Sequence, residues 1–349
     1  MVKSEILKII IFAIIASLII YLYTKAKKQK QTITIGLAGD TMLGRLVNKK
    51  MDQVGHTYIW GNMLPILKKN NLNIVNLETT LTNSEKKAPK IFNFKATPDK
   101  VKALQEANVH VVNLANNHML DFYDEGLIET LDTLDKEGIK HVGAGRNIAQ
   151  ARTGIIIEKN GIKIGVIGYT DYPQEWKAGK NKPGTNVVTI GDIAQIKQDI
   201  KNLRKQVDIL VLSIHWGPNK RKRPTPEFKT FARQIIDAGV DIIHGHSAHI
   251  FQGIEIHNKK IIFYDTGDFV DDYMVGPEIR NDWSFLFQVT VEKHGNKTKI
   301  KNLKLIPLLI DNMQVNLATG TEKEKIINYM KMLSQKMGTE IKKNLEIKF

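Results

Sequence analysis

Five stretches of the chain end in residues that can hold a metal or move a proton. TITIGLAGD closes on Asp40, LNIVNLE on Glu78, and VHVVNLANNH on Asn117 and His118. ILVLSIHWG carries His215, and DIIHGHSAH carries His244, His246 and His249. A lone histidine at such a tip is usually structural or solvated. Five tips that all end in ligand types are hard to explain as independent accidents. The donors are carboxylates, an amide and imidazoles, and the chain has no cysteine. Hard oxygen with imidazole suits Mn, Fe, Zn or Co rather than Ca. Two carboxylates, an asparagine and several histidines can hold one or two such ions. Paired ions activate water at neutral pH and clamp the oxygens of an in-line phosphoryl displacement. His118, beside a ligand but not needed as one, can protonate the leaving oxygen.

Other residues near these tips admit two readings each. Asn116 reads as a turn residue and His244 as a structural histidine. Asp121 either caps the following helix or orients His118. Arg45, in GDTMLGR, either grips a phosphate or carboxylate or pairs with a carboxylate at the sheet end. The run PNKRKRP (218–224) is either a solvated loop or a rim where Lys220, Arg221, Lys222 and Arg223 hold a polyanion. Asp265, Asp268, Asp271 and Asp272 either help the site or finish a strand.

The tips must be positioned by strands. Short apolar runs alternate with helical patterns near 59–70, 98–107, 123–137, 191–205 and 226–238, which predicts an α/β sheet. In such sheets ligands gather beyond the carboxyl ends of the strands. Hairpin patterns at 153–170, with Asn-Gly at its turn, 250–269 and 285–308 add antiparallel pieces, so two stacked sheets with outer helices are expected. A lysine-rich amphipathic helix over 321–343 is expected to cover the body. There is no Gly-Lys phosphate loop, and the glycines at 143 and 145 make no dinucleotide fingerprint.

The 349 residues allow one large domain or two small ones. The chain carries 51 Lys+Arg against 36 Asp+Glu, a net charge of +15, which suits a nucleic acid, an anionic membrane or a polyanionic substrate. Scattered lysines with few interleaved aromatics argue against nucleic acid. Ile6–Tyr23 is apolar except for Lys8 and, at ~1.5 Å per residue, reaches about 27 Å, enough for an uncleaved membrane anchor. The anchor is expected over residues 1–24, with a polar linker over 25–31. Flanking lysines alone favour a cytoplasmic body.

The ordered set GD (39–40), NLE (76–78), NNH (116–118), HWG (215–217) and GHSAH (245–249) resembles the CapA family of poly-γ-glutamate capsule proteins, a branch of the calcineurin-like metallophosphoesterases. HWGPN (215–219), HGHSAHIFQGIE (244–255) and FYDTGDFVDDY (263–273) resemble the same branch, and the similarity covers roughly residues 32–290. The resemblance implies a four-layer α-β-β-α sandwich of two mixed sheets, and the domain is expected over residues 32–312, with 313–349 holding the covering helix. It implies Asp40 and His249 in a first metal site, Glu78 as the bridging carboxylate, and Asn117, His215 and His246 in a second. It makes His118 the proton donor. It further implies an extracytoplasmic body on the cell membrane, with poly-γ-glutamate synthase or export subunits as partners and an anionic polymer or phosphate-bearing substrate. A metal-dependent phosphomonoesterase or phosphodiesterase unrelated to poly-γ-glutamate is the alternative. Three departures bear on the first site. Met42 stands where the superfamily has a histidine, His249 comes one residue late, and Glu78 replaces an aspartate.

Overall fold

The computed structural model describes residues 2–28 and 30–349, with the side chains at 2–4, 7 and 20–28 outside the description. Six strands carry the tips: β1 (Gln31–Thr41), β2 (Leu72–Leu77), β3 (Val109–Asn113), β4 (Ile209–His215), β5 (Ile242–His246) and β6 (Asp268–Val270). The first sheet runs Gln314–Leu317, Lys297–Asp311, Trp283–His294, β1, β2, β3, Lys140–Val142, and β6 pairs with the tip of β1. The second runs Ile254–His257, Lys260–Phe263, β5, β4, Ile162–Thr170, Ile155–Lys159. Neighbours among β1, β2 and β3 are parallel, as are β4 and β5, so their carboxyl ends lie together.

Successive strand residues face opposite ways, and both faces of these strands are buried. Ile33, Ile35 and Leu37 of β1, with Ile74 and Val111, pack against Ile164, Val166, Val211 and Ile242 of the other sheet. The alternate residues Ala38, Val75, Leu77 and Val112 pack outward on Met51, Leu67, Leu104 and Leu127 of helices. Leu210, Leu212, Ile214 and Ile243 do the same on Ile196, Ile200, Phe231 and Ile235. Three apolar cores therefore separate four layers: helices, sheet, sheet, helices. The hairpin at 155–170 turns on Asn160 (φ 49°) and Gly161 (φ 72°), as its Asn-Gly pair requires.

The pattern expected as a helix over 321–343 forms one only over Gly320–Gln335. The chain is broken at Gly338 (φ 79°) and then adds the edge strand Glu346–Lys348 to Lys297–Asp311. Ile326, Met330 and Leu333 of the helix cover the core between the sheets. Helices Arg45–Val54 and Ile148–Arg152 lie outside the expected helical stretches. At the amino end a helix spans Val2–Lys28, and β1 opens at Gln31. Among the described residues no helix is long and apolar enough to cross a membrane. The anchor expected over 1–24 falls in part on side chains outside the description.

Candidate metal centre

Register brings the tips together. In the first sheet one rung holds Asp268, Asp40, Asn76 and Asn113 side by side. In the second sheet His215 pairs with His246. The two rungs face each other at the ends of the parallel strands. β6 reaches the tip of β1 because Gly39 has no side chain: a Cβ there would lie 1.7 Å from the Gly267 carbonyl oxygen. Gly267 itself sits at φ 74°, so both glycines are required by the close approach.

Two groups of buried donors result, each with ligand atoms within 4.8 Å of one another. One is Asp40, His215 and His246, and the other Asp40, Glu78 and His249. Asp40 is common to both. His215 Nδ1 and His246 Nδ1 lie 3.1 Å apart, close to the ~3 Å expected of two nitrogens on one ion with ~2.1 Å bonds. Glu78 spans the groups through its two oxygens: Oε1 lies 3.8 Å from His215 Nε2, and Oε2 lies 3.9 Å from His249 Nδ1.

The electrostatics point the same way. Glu78 is fully buried, yet neither carboxylate oxygen has a hydrogen-bond partner. The buried Asn117 Oδ1 is also unpartnered. Burial, with help from Asp268, pushes Glu78 up to about 8, and burial with the neighbouring Glu78 carboxylate holds Asp40 well above the carboxylate range. Burial drives His215 and His246 well below the ordinary imidazole value, so both are neutral donors of lone pairs. Burial also opposes charge on His249, but Asp268 and Glu78 outweigh it and raise that imidazole. Unpaired buried carboxylate and amide oxygens beside neutral imidazoles form a donor set that fits a divalent cation.

His118 lies at the edge of this set. Its Nδ1 is 2.6 Å from Asp121 Oδ2, and its Nε2 is 3.9 Å from Glu78 Oε1. Asp121 also accepts from Phe94 N and Lys90 Nζ, and the following helix opens at Tyr123 with no side-chain cap. Asp121 thus orients His118 and caps nothing. The Phe94 ring stacks on His118 with centroids 3.9 Å apart. Burial lowers His118 to about 4, against the opposing pull of Asp121.

The remaining candidates are less central. Arg45 Nε is 3.2 Å from Asp272 Oδ2, and the guanidinium lies between Phe92 and Phe94, partly exposed. Arg221 is half-buried over the Phe228 ring, 3.8 Å from its centroid. Lys220, Lys222 and Arg223 are exposed and do not line the adjoining cleft, whose ≈ 530 Å³ is bounded by Asn117, Asp171, Tyr172, His215 and Ser247. His244 is buried and bonded to Ala38 O and Ser213, outside both metal groups. Met42 points into the helix-side core, and its sulfur accepts from Gly44 N.

The stretch from β1 to the end of the acidic segment, residues 34–273, matches the family model described as bacterial capsule synthesis protein PGA_cap. The chain belongs to that family. All the metal-capable residues lie inside the matched region. The probable polyglutamine synthesis accessory protein of Mycobacterium tuberculosis is 31% identical over 358 residues, covering 88% of this chain and 93% of that one. The PGA biosynthesis protein CapA of Bacillus subtilis is 34% identical over 244 residues, covering 69% of this chain and 63% of that one. Among solved structures, the 5′-nucleotidase precursor of Thermus thermophilus aligns with a TM-score of 0.43 at 13% identity, over 88% of this chain and 59% of that one.

Sequence reasoning missed Asn76, Asn113, Lys90 and Tyr273 at this site and left the role of Asp268 open. Asn76 donates to Asp40 Oδ1 at 2.7 Å and accepts from Asn113 and Asn116, forming an amide ladder under the donors. Asn116 also accepts from His118 N, so this expected turn residue shapes the loop that carries His118. Lys90 holds both the Asn117 carbonyl and Asp121. Asp268 meets His249 Nδ1 at 2.8 Å. Tyr273 edges the His249 ring. Only the recurrence of Asn at successive tips, in NLE, VNL and NNH, signals the ladder in the sequence.

Proposed function

We propose that this chain is a membrane-anchored protein of poly-γ-glutamate synthesis or export, and that its strand-tip site is a metal-dependent hydrolytic centre of the phosphoesterase type. The observation that carries the chemistry is the Glu78 carboxylate, buried with both oxygens unpartnered among three imidazoles. An isolated buried carboxylate is costly, and a cation between it and those rings removes the cost. One or two divalent ions of the Mn, Fe, Zn or Co class fit Asp40, Glu78, Asn117, His215, His246 and His249. Bound there, they supply Lewis-acid charge for attack by water at neutral pH.

The chain's own residues do the rest. Asp121 fixes the Nδ1 proton of His118 and aims Nε2 at the space beside Glu78. A substrate oxygen in that space receives its proton from His118 Nε2 once an anionic substrate has raised the imidazole. Phe94 excludes water from one ring face. Arg45, held at Nε by Asp272, offers the far side of its guanidinium to a phosphate or carboxylate at the mouth.

The anchor reading rests on the amino-terminal helix. Ile9, Ile10, Ile11 and Phe12 occupy all sides of one turn and are each roughly half to three-quarters exposed. A helix apolar on every side needs an apolar surrounding, and a bilayer supplies it. The relatives' names place them in capsule and PGA biosynthesis; an extracytoplasmic body that works with synthase or export subunits on an anionic polymer is part of the same proposal.

Elemental mass spectrometry on the purified full-length chain tests the metal reading. One or two transition-metal equivalents per chain are expected, falling below half in His215→Ala. No bound metal after loading with Mn²⁺ or Zn²⁺ would sink the hydrolytic reading and leave only the accessory role.

A further inference from the structure

The amino-terminal helix and the metal-capable site lie at opposite ends of one strand. The helix runs to Lys28, β1 opens at Gln31, and Asp40 lies nine residues further on. At ~3.3 Å per residue, the two ends of β1 are about 30 Å apart. Lys30 is fixed to the body by Glu292 at 2.8 Å, so the body follows the helix with no long tether. Two turns flank Gln31 at this pole. The Asn160–Gly161 turn is held by Asn160 on Thr32 O and by Lys293 on Gly161 O. The turn between His294 and Lys297 closes the neighbouring hairpin, in which Lys293 pairs with Gln31.

This pole is basic. Lys30, Lys163, Lys297, Lys299 and Lys301 are exposed on it, with Lys293 partly so. Of the acids beside them, Asp208 is paired with Lys293, and Glu292 is shared by Lys30 and Lys301. Glu158 is the third. Six lysines against these three acids leave an excess of positive charge where the chain meets its apolar helix. The opposite pole, around the site, shows apolar tips instead: Ile91 is 91% exposed and Met274 is 93% exposed.

We propose that the basic pole is a docking surface for anionic lipid headgroups, which seats the body upright and holds the metal-capable site about 30 Å from the leaflet, facing away. The proposal rests on the anchored reading above. Lysines within a Debye length of an anionic surface bind it, and the short join to the helix keeps them there. The site then meets a polymer strand that has already left the membrane. A phosphate headgroup in the same leaflet is out of its reach.

The test uses the full-length chain in vesicles of phosphatidylcholine with phosphatidylglycerol. A photoreactive side chain is introduced as Lys299→p-benzoylphenylalanine or Met274→p-benzoylphenylalanine, and attachment to lipid is read by mass spectrometry. Attachment from position 299 is expected to exceed that from 274 by at least ~10-fold. Omitting phosphatidylglycerol, or adding Lys163→Glu with Lys297→Glu, is expected to cut the 299 signal at least ~fivefold. Equal or stronger attachment from 274 overturns the proposal, because the site would then face the leaflet. No attachment from either position, in a chain that floats with the vesicles, refutes docking and leaves the anchor standing. A chain that does not float refutes the anchor itself.

Discussion

Replacing Glu78 with glutamine should stabilise the metal-free protein, an unusual outcome for a residue at the centre of a site. In the fold, burial holds Glu78 at about 8, against an ordinary 4.5. Between these values the folded chain binds a proton that the unfolded chain has released, so stability falls as pH rises from 4.5 towards 8. Three pH units, from 4.5 to 7.5, amount to about 4 kcal/mol, as an upper bound. Protonated Glu78 and Gln leave similar polar atoms unpaired, so Glu78→Gln removes mainly the ionisation penalty. Spread over 349 residues at ~2.1 cal/mol/K each, 4 kcal/mol raises Tm by about 5 °C. Metal should reverse the order. An ion at ~1,000 times its Kd stabilises wild type by about 4 kcal/mol, while the variant loses most of that gain. Calorimetry at pH 5.0, 6.5 and 7.5, in chelator and then with Mn²⁺ or Zn²⁺, reads all of these outcomes. The reasoning is refuted if wild-type stability in chelator is flat from pH 5.0 to 7.5, or if Glu78→Gln melts no higher than wild type at pH 7.5.

Four further outcomes follow from the same geometry. His118→Ala should lower hydrolytic kcat by about 10²–10⁴ with metal content unchanged, measured by single-turnover assay and elemental analysis; loss of metal instead would make His118 a ligand. Met42→Leu should cost less than ~1.5 kcal/mol in a denaturant melt and leave metal stoichiometry intact, because Met42 is a core side chain. Arg45→Ala should raise KM by about 10–100-fold with kcat nearly constant, and Arg45→Lys should rescue little because the fork is lost. Arg221→Ala should lower stability in a denaturant melt by about 1–2 kcal/mol through lost packing on Phe228, whereas Arg223→Ala, at an exposed position, should leave it unchanged.

What the sequence discloses is local. Short apolar runs, Asn-Gly at the 155–170 turn, and donors at strand ends can each be read within a dozen residues. Neighbours set by register cannot. Asp268 stands beside Asp40, and Asn76 under both Asp40 and His215, only because β6 and β2 flank β1 in one alignment. Nothing within VNLE or TGDF states that alignment. Two of the three departures at the first metal group show the same limit. Read in sequence, Met42 is a missing ligand and His249 a misplaced one. In the fold, Met42 belongs to the helix-side core, so the strand has turned its side chain out of the site. The extra residue before His249 is absorbed by left-handed backbone at Ser247 (φ 119°) and His249 (φ 58°). Non-glycine residues hold such angles only where surrounding contacts compel them, at a cost of about 1–3 kcal/mol each. Here Ser247 N donates to Asp40 Oδ2, and His249 Nδ1 comes within 3.4 Å of the same oxygen. The strain brings the late histidine back to the shared carboxylate, so the Asp40, Glu78 and His249 group assembles without a ligand at position 42.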